Sequence, residues 1–361
     1  MRSVRASFRV FPLALAFLMV GATQTPTTVP TRVTHPLVGF TFLPARATDA
    51  GYLPAAALAQ LLRQLHPDLV RIPVYWSTVA TSADELDFTA VDELLDTVAA
   101  SNSHRHARQA QVILVAGVRN LAYPEVHVPD WLDTGTNLDL AQITSSDAYL
   151  RYLTGSFERY AANPLLYAWQ VENEPLDNTN ENLGEVALEG ATVADEVALL
   201  KSIDPVHQAI VTTYNSSSVA LDMQAASSFS WFFNLLPGPK PVGHPQPALL
   251  LGDILGLDVY VATPSTPLKD AGVTERIGWK AAALSYWANQ GAENGKQVWI
   301  TEMQAFTWND EPNFSPDDLL ESAQQYSGTG VSAVLLWGVE DWLSSPDWMT
   351  AGKTAFQTLR N

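Results

Sequence analysis

The 361-residue chain contains no cysteine, which excludes disulfide bonds, thiolate metal sites and a lipid anchor on cysteine. The redox state of the compartment therefore leaves no mark on the sequence. Basic residues are also scarce, because 20 Lys and Arg stand against 38 Asp and Glu and give a formal net charge of −18. A surface of this charge repels nucleic acid and anionic lipid and suits a neutral substrate.

The motifs of nucleotide and metal sites are missing as well. The chain has no zinc-ligand spacing, no Walker loop and no Gly-x-Gly-x-x-Gly after a strand, and Gly117 does not begin such a pattern. His104 and His106 lie close together, but no carboxylate near them completes a metal site. We therefore expect no cofactor and no metal ion.

The N-terminus carries the only signal for localisation. Three arginines within the first nine residues precede an apolar run over 10–22 that ends in small residues. This arrangement is typical of a secretion signal, and the run is short for a membrane-spanning helix. We predict a signal peptide over 1–22, an extended linker over 23–35, and a secreted or otherwise extracytoplasmic protein. An uncleaved N-terminal membrane anchor is the alternative.

The rest of the chain, 36–361, alternates apolar strands with helical patterns. With 47% hydrophobic residues, the chain can form one large core. The predicted strands cover 37–43, 69–75, 112–116, 167–175, 209–214, 254–260, 297–302 and 332–337. Short, continuously apolar strands indicate parallel strands buried on both faces. Eight such units predict an α/β fold, a single-domain (β/α)8 TIM barrel rather than a doubly wound open sheet.

Active sites of such barrels lie at the carboxyl ends of the strands. This rule brings the following residues to one mouth: Arg71, Asn173, Glu174, Tyr214, Asp258, Tyr260, Glu302, Trp337 and Glu340. The Pro-rich segment 229–250 is predicted to be an insertion between the fifth and sixth units.

Two carboxylates at this mouth stand out. Glu174 lies at the end of the fourth strand, where Pro175 prevents the strand from continuing, and Glu302 ends the seventh strand. Both follow strongly apolar runs, so we expect each to be partly desolvated. Retaining glycosidases place two carboxyl groups roughly 5–5.5 Å apart around the scissile bond, one as acid/base and one as nucleophile.

A family resemblance rests on these residues. Asn173-Glu174-Pro175 after strand four and Thr301-Glu302 after strand seven resemble the signature of clan A glycoside hydrolases. Within that clan, the chain is most similar to the cellulase-like family 5 group. The resemblance implies a retaining glycosidase in which Glu174 is the general acid/base and Glu302 the nucleophile. It also implies that Asn173 binds the 2-hydroxyl of the sugar.

The resemblance covers about 36–360 and extends to three further residues. Arg71 resembles the strand-two Arg that keeps the nucleophile as its carboxylate, and Tyr260 resembles the strand-six Tyr that hydrogen-bonds the nucleophile. Trp337 resembles the strand-eight Trp that forms a platform under the sugar. A barrel-bottom ion pair for Arg71 and core packing for the two aromatic residues are the structural alternatives.

Two positions depart from the family pattern. Many relatives have a His at the end of strand three, where this chain continues Ala116-Gly117-Val118-Arg119. A His before the strand-six Tyr is also common, whereas this chain has Asp258 two positions before Tyr260. These departures leave the carboxylate pair intact but leave the substrate open.

Further aromatic residues are candidates for sugar binding. Trp131 and His127, in the loop 123–131, are candidates for a subsite on the non-reducing side, and Trp308 is a candidate in the cleft.

Glu172 points the same way as Glu174 on an ideal strand, and the Asn-Glu-Pro match selects Glu174 as the acid.

The predicted function is a secreted retaining glycoside hydrolase that cleaves β-linked glycosides or polysaccharides by double displacement, with a carbohydrate as its only expected partner. A carbohydrate-binding protein that has lost turnover on the same barrel is one alternative. A transglycosylase, in which an acceptor sugar replaces water, is another. The sugar, the linkage, endo or exo action and the oligomeric state stay open.

Overall fold

The computed structural model of the protein describes residues 35–105, 108–132, 139–177, 187–214, 243–261, 272–307 and 314–361. The predicted signal peptide, the linker apart from its last residue, and Trp308 lie outside these ranges. Eight parallel strands close into one barrel in the order β1 to β8. The predicted (β/α)8 fold is therefore confirmed.

The strands and helices follow the predicted alternation. The strands are β1 Leu37–Thr41, β2 Leu69–Pro73, β3 Gln111–Ala116, β4 Leu166–Val171, β5 Gln208–Tyr214, β6 Ile254–Val259, β7 Gln297–Gln304 and β8 Ala333–Trp337. The helices are α1 Pro44–Asp49, α2 Pro54–Leu65, α3 Trp76–Val79, α4 Thr89–Ser103, α5 Leu140–Thr144, α6 Asp147–Tyr160, α7 Gly190–Ile203, α8 Pro245–Leu251, α9 Val273–Glu293, α10 Pro316–Tyr326 and α11 Pro346–Arg360, with a 3₁₀ helix Val339–Ser344 after β8.

The fourth strand is shorter than the sequence predicts. It ends at Val171, and Glu172 and Glu174 then adopt positive φ angles of 62° and 43°. This left-handed conformation is incompatible with a strand, so the chain turns sharply before Pro175. The Asn-Glu-Pro motif therefore lies in a turn beyond the strand rather than on its last residues.

The barrel interior has an apolar layer and a polar layer. Apolar side chains from the strands form a separate buried cluster, whose members are Leu69, Ile113, Ala168, Ile210, Ile254, Trp299, Ala333 and Leu335. Side chains two residues apart on a strand point the same way. Moving two positions toward the carboxyl ends therefore reaches inward-facing polar residues on four strands, which are Arg71, Gln170, Thr212 and Thr301. The mouth is built directly on this polar layer.

The outward faces of the strands pack against the helices. Trp169 of β4, for example, meets Phe157 of α6 edge to face, with the ring centroids 4.9 Å apart. In the described part of the chain, no helix combines the length and the apolarity needed to cross a membrane.

Candidate active site

Glu302 faces the barrel interior because β7 is irregular. Its register shifts against β6 between Leu257 and Asp258, and against β8 between Ile300 and Met303. Successive residues of a regular strand point to opposite faces, yet the side chains of Thr301 and Glu302 both make contacts inside the barrel. A strand irregularity of this kind re-aims a side chain, and here it turns the Glu302 carboxyl into the mouth.

One oxygen of Glu302 is held by a buried arginine. Arg71 Nη2 donates to Glu302 Oε1 at 2.7 Å, and the guanidinium is completely buried. Arg71 also donates through Nε to Thr41 Oγ1 at 2.9 Å and through Nη1 to Gln170 Oε1 at 2.8 Å. These additional bonds compensate for the desolvation of the cation, which a buried ion pair alone does not always repay. The predicted pairing of Arg71 with Glu302 is present.

The other oxygen of Glu302 accepts a hydrogen bond from the Tyr260 hydroxyl. Burial, followed by the charges of Glu302 and Asp258, raises the pKa of Tyr260 well above its usual value. Tyr260 is therefore a hydrogen-bond donor at any working pH. The Tyr214 ring lies parallel to it, with centroids 6.3 Å apart. Both oxygens of Glu302 thus have a donor, and its carboxylate is fixed in one orientation.

Glu174 has the opposite surroundings. Its backbone N–H donates to Thr212 Oγ1 at 2.8 Å, while no hydrogen bond to its carboxyl group comes from the described residues. Burial, and then the negative charges of Glu125, Asp258, Asp177 and Glu302, raise the pKa of Glu174 well above its usual value. A raised pKa favours the protonated carboxyl group, which is the form that can donate a proton.

Gln170 connects Arg71, which holds Glu302, to Asn173, which precedes Glu174, and sequence reasoning missed it. Its Oε1 accepts from Arg71, while its Nε2 donates to Asn173 Oδ1 at 3.0 Å and to the backbone oxygen of Glu172 at 2.9 Å. The Asn173 amide is therefore oriented with Oδ1 as the acceptor, which leaves Nδ2 as its donor. The only sequence signal is a glutamine at an inward-facing position of an otherwise apolar strand.

Glu172 lies behind this layer, between β3 and α6. Its carboxyl accepts from the backbone N–H of Val118 at 2.9 Å and of Arg119 at 2.6 Å. The Tyr149 hydroxyl lies 2.6 Å from Glu172 Oε1 and 2.8 Å from Glu196 Oε1, so it bridges the two carboxyl groups. Burial raises the pKa of Glu172 to about 7. Glu172 thus ties the end of β4 to the end of β3.

A second polar group, also missed from the sequence, lies next to Glu174. Arg119 is fully buried, pairs with Glu125 at 2.5 Å and donates to the backbone oxygen of Asp177 at 2.7 Å. The Asp177 carboxylate accepts from Tyr214 N at 2.7 Å and from His244 Nδ1 at 2.7 Å. Asp177 raises the pKa of His244, mainly through this hydrogen bond.

Asp258 occupies the strand-six position that departs from the family pattern. It is completely buried on β6, beside Glu302, and its Oδ1 accepts from the Thr301 hydroxyl at 2.6 Å. No described residue pairs with its Oδ2. Burial, and then the charge of Glu302, raise the pKa of Asp258 well above its usual value. Asp258 and Glu302 therefore disfavour each other's negative charge, and Arg71 offsets this repulsion.

The predicted aromatic residues are placed differently from one another. Trp337 is partly buried, and its ring centroid lies 5.8 Å from Arg71 Cζ, next to Glu302. Trp131 donates its indole N–H to the Ala80 oxygen at 2.7 Å, and no described contact joins it to the carboxyl pair. His127 stacks on Tyr75 with centroids 4.2 Å apart. Trp308 lies outside the described residues.

No group of three or more His, Asp or Glu side chains in the described ranges is arranged to hold a metal ion.

The described chain closes into a parallel (β/α)8 barrel with two buried carboxyl groups, Glu174 and Glu302, at one mouth, and it shares this fold with solved glycoside hydrolases. Neither a family model nor a curated protein matches the chain. Among solved structures, it is similar to a GH5_18 protein from Streptomyces cattleya in complex with GlcNAc, at 15% identity and a TM-score of 0.59, with 84% of this chain and 70% of that chain covered.

Two other structures show the same likeness. A GH5_18 protein from Bifidobacterium longum subsp. longum has 14% identity and a TM-score of 0.61, and the alignment covers 90% of this chain and 79% of that chain. A β-galactosidase from Marinomonas ef1 has 16% identity and a TM-score of 0.59, with 89% and 59% covered. At these identities the likeness establishes the fold, and the activity is argued from the site.

Proposed function

We propose that the protein is a retaining β-glycosidase in which Glu302 is the nucleophile and Glu174 the general acid/base. The observation that supports this most strongly is the contrast between the two carboxyl groups. Glu302 is held by Arg71 and Tyr260, whereas burial and four nearby acidic residues raise the pKa of Glu174. Two carboxyl groups with opposite environments at one site are the usual arrangement for separate acid and nucleophile roles.

In the first step, Glu302 attacks the anomeric carbon and forms a glycosyl ester while the bond to the leaving oxygen breaks. Glu174 gives its proton to that oxygen, so the leaving group departs as an alcohol. In the second step, Glu174, now a carboxylate, takes a proton from water. The resulting hydroxide-like oxygen displaces Glu302 and releases the sugar with its original configuration.

The neighbouring residues position the sugar. Asn173 donates through Nδ2 to the sugar 2-hydroxyl, because Gln170 fixes its amide. Trp337 forms the platform beneath the sugar bound at Glu302, which agrees with its place above Arg71. Arg71 and Tyr260 hold the attacking carboxylate, so little reorganisation is needed before it reacts.

The substrate class in this proposal is a β-linked glycoside of a neutral sugar. The similar structures support it: one from Streptomyces cattleya is in complex with Manβ1-4GlcNAc, and another is an exo-β-1,4-mannosidase from Opitutaceae bacterium strain TAV5. The net charge of −18 also disfavours acidic polysaccharides. A panel of aryl β-glucosides, β-mannosides and β-galactosides identifies the sugar.

Turnover and stereochemistry test the proposal together. On the best aryl glycoside of the panel, proton NMR of the first-formed sugar should show the β-anomer before mutarotation. An α-anomer would contradict the double displacement. If every aryl glycoside is bound but none is cleaved, the protein is a carbohydrate-binding protein. If added sugar acceptors capture most of the product, it is a transglycosylase.

Export is a separate part of the proposal. We infer that residues 1–22 direct the protein out of the cytoplasm and are then removed. N-terminal sequencing of the protein recovered from the medium or periplasm should start after Ala22. Recovery of the uncleaved chain with the membrane fraction would favour an anchor.

A further inference from the structure

Tyr123 is an exposed aromatic residue at the mouth that the mechanism does not use. Its side chain is 62% exposed, and among the large hydrophobic residues that the described ranges expose it is the only aromatic one. It lies in the loop that follows β3, at the carboxyl ends of the strands, where the active sites of these barrels lie.

The loop around Tyr123 is held by hydrogen bonds at its base. The backbone N–H of Asn120 donates to the Glu125 oxygen at 2.8 Å, and Arg119 and Val126 form an antiparallel bridge. A further hydrogen bond, from Asn120 Nδ2 to the Val115 oxygen at 3.0 Å, ties the start of the loop to β3. Tyr123 is therefore presented on a defined turn, and little conformational entropy is lost when a ligand contacts it.

This loop extends along the rim of the mouth toward the proposed sugar platform. Leu121 and, next to Tyr123, Ala122 pack in one apolar cluster with Leu43, which follows β1, and with Trp337 of β8. In the barrel, β2 lies between β1 and β3. A loop that follows β3 and contacts Leu43, just after β1, therefore passes the end of β2. The loop thus lies on the side of Trp337 and Arg71.

We propose that Tyr123 is a second sugar platform, which contacts the pyranose ring one position beyond the sugar on Trp337. This inference rests on the proposed function and deepens it, because it makes the preferred glycone a β-linked disaccharide or longer. A phenol ring offers an apolar face to the C–H groups of a pyranose and a hydroxyl to its polar edge.

The test compares chromogenic aryl β-glycosides that carry either one sugar or two β-linked sugars. Release of the chromophore from the second substrate reports cleavage with both sugars on the glycone side. Tyr123→Ala should lose about 5- to 10-fold in kcat/KM on the disaccharide substrate, mainly through KM, and less than about twofold on the monosaccharide substrate. Tyr123→Phe, which keeps the ring, should stay close to the wild type on both.

Val206→Ala is the matched control, because Val206 is 81% exposed and lies between α7 and β5, at the opposite end of the barrel. It should leave both rates unchanged. Equal losses of Tyr123→Ala on the two substrates, or no loss on either, would overturn the platform. A wild type that cleaves only the monosaccharide substrate would overturn the platform while the proposed function stands. Cleavage of neither substrate would overturn both.

Discussion

The surroundings of Glu302 and Glu174 differ in kind, although both carboxyl groups are buried at the same mouth. Glu302 sits between a guanidinium and a phenol, and each of its oxygens has a donor. Glu174 is reached by the charges of four other acidic residues and by no hydrogen bond to its carboxyl group from the described residues. Burial alone therefore does not assign a role, and the proposed division into nucleophile and acid rests on the neighbours of each group.

The largest expected effect comes from removing either carboxyl group. Glu302→Ala should lose at least about 10⁴-fold in kcat on every aryl glycoside, because no covalent intermediate forms. Glu174→Gln should lose about 10²- to 10⁴-fold on substrates with poor leaving groups, yet far less on a dinitrophenyl glycoside that needs no proton. Steady-state kinetics over a series of leaving groups measures both. The same leaving-group dependence in the two variants would contradict the division of roles.

The second largest effect should follow from Arg71→Met. The variant leaves Glu302 buried without its cation, and breaking a buried ion pair costs about 3–5 kcal/mol in the free energy of unfolding. Urea denaturation measures this loss, and kcat should fall by about 10²-fold or more.

Arg119→Met is the matched control, because Arg119 is equally buried but pairs with Glu125 instead. It should destabilise the fold while leaving Glu302 able to attack. An equal loss of kcat in both variants would contradict a role of Arg71 that is specific to Glu302.

Gln170→Leu tests the hydrogen bond by which Gln170 orients the Asn173 amide. Without its Nε2 donor, the Asn173 amide can rotate, and we expect a loss of about 10-fold in kcat/KM. The loss should shrink on a 2-deoxyglycoside, because that substrate lacks the hydroxyl that Asn173 is proposed to bind. A loss of the same size on both substrates would remove Gln170 from the positioning of Asn173.

The smallest effect, in rate at the pH optimum, should come from Glu125→Gln. The charge of Glu125 follows burial as a cause of the raised pKa of Glu174. Its removal stabilises the Glu174 carboxylate, so the pKa of Glu174 falls and the acid loses its proton at lower pH. The alkaline limb of the kcat/KM profile should therefore move to lower pH. An alkaline limb that stays in place or moves to higher pH would contradict this electrostatic effect of Glu125 on Glu174.

The residues that were predictable from the sequence lie next to strands with local signatures. Arg71 and Glu302 lie within short, mainly apolar strands, Trp337 ends one and Tyr260 follows one, so the barrel rule brings all four to one mouth. Their contacts with one another, such as Arg71 with Glu302, could be expected once the strand order was assumed. The eight-strand fold was predictable because each strand is a short apolar run followed by a helical pattern.

Other parts of the site depend on geometry that no local pattern carries. The inward turn of Glu302 results from register shifts of β7, and a shift of register leaves no clear mark in an apolar run. The sequence predicts Asn173-Glu174-Pro175 at the end of a strand, but the positive φ of Glu174 places these residues in a turn. Asp177 and His244 have 66 residues between them in sequence, so no local pattern predicts their contact. They meet because both lie at the end of β5.

Labelling with a 2-deoxy-2-fluoroglycoside of the preferred sugar shows whether Glu302, rather than Glu174, forms the covalent bond. Mass spectrometry of the digested protein should find one sugar per chain, attached to the peptide that contains Glu302, and no label on the Glu302→Gln variant. A label on Glu174, or a wild type that turns over aryl glycosides but never accumulates a labelled chain, would contradict the assignment of Glu302 as the nucleophile.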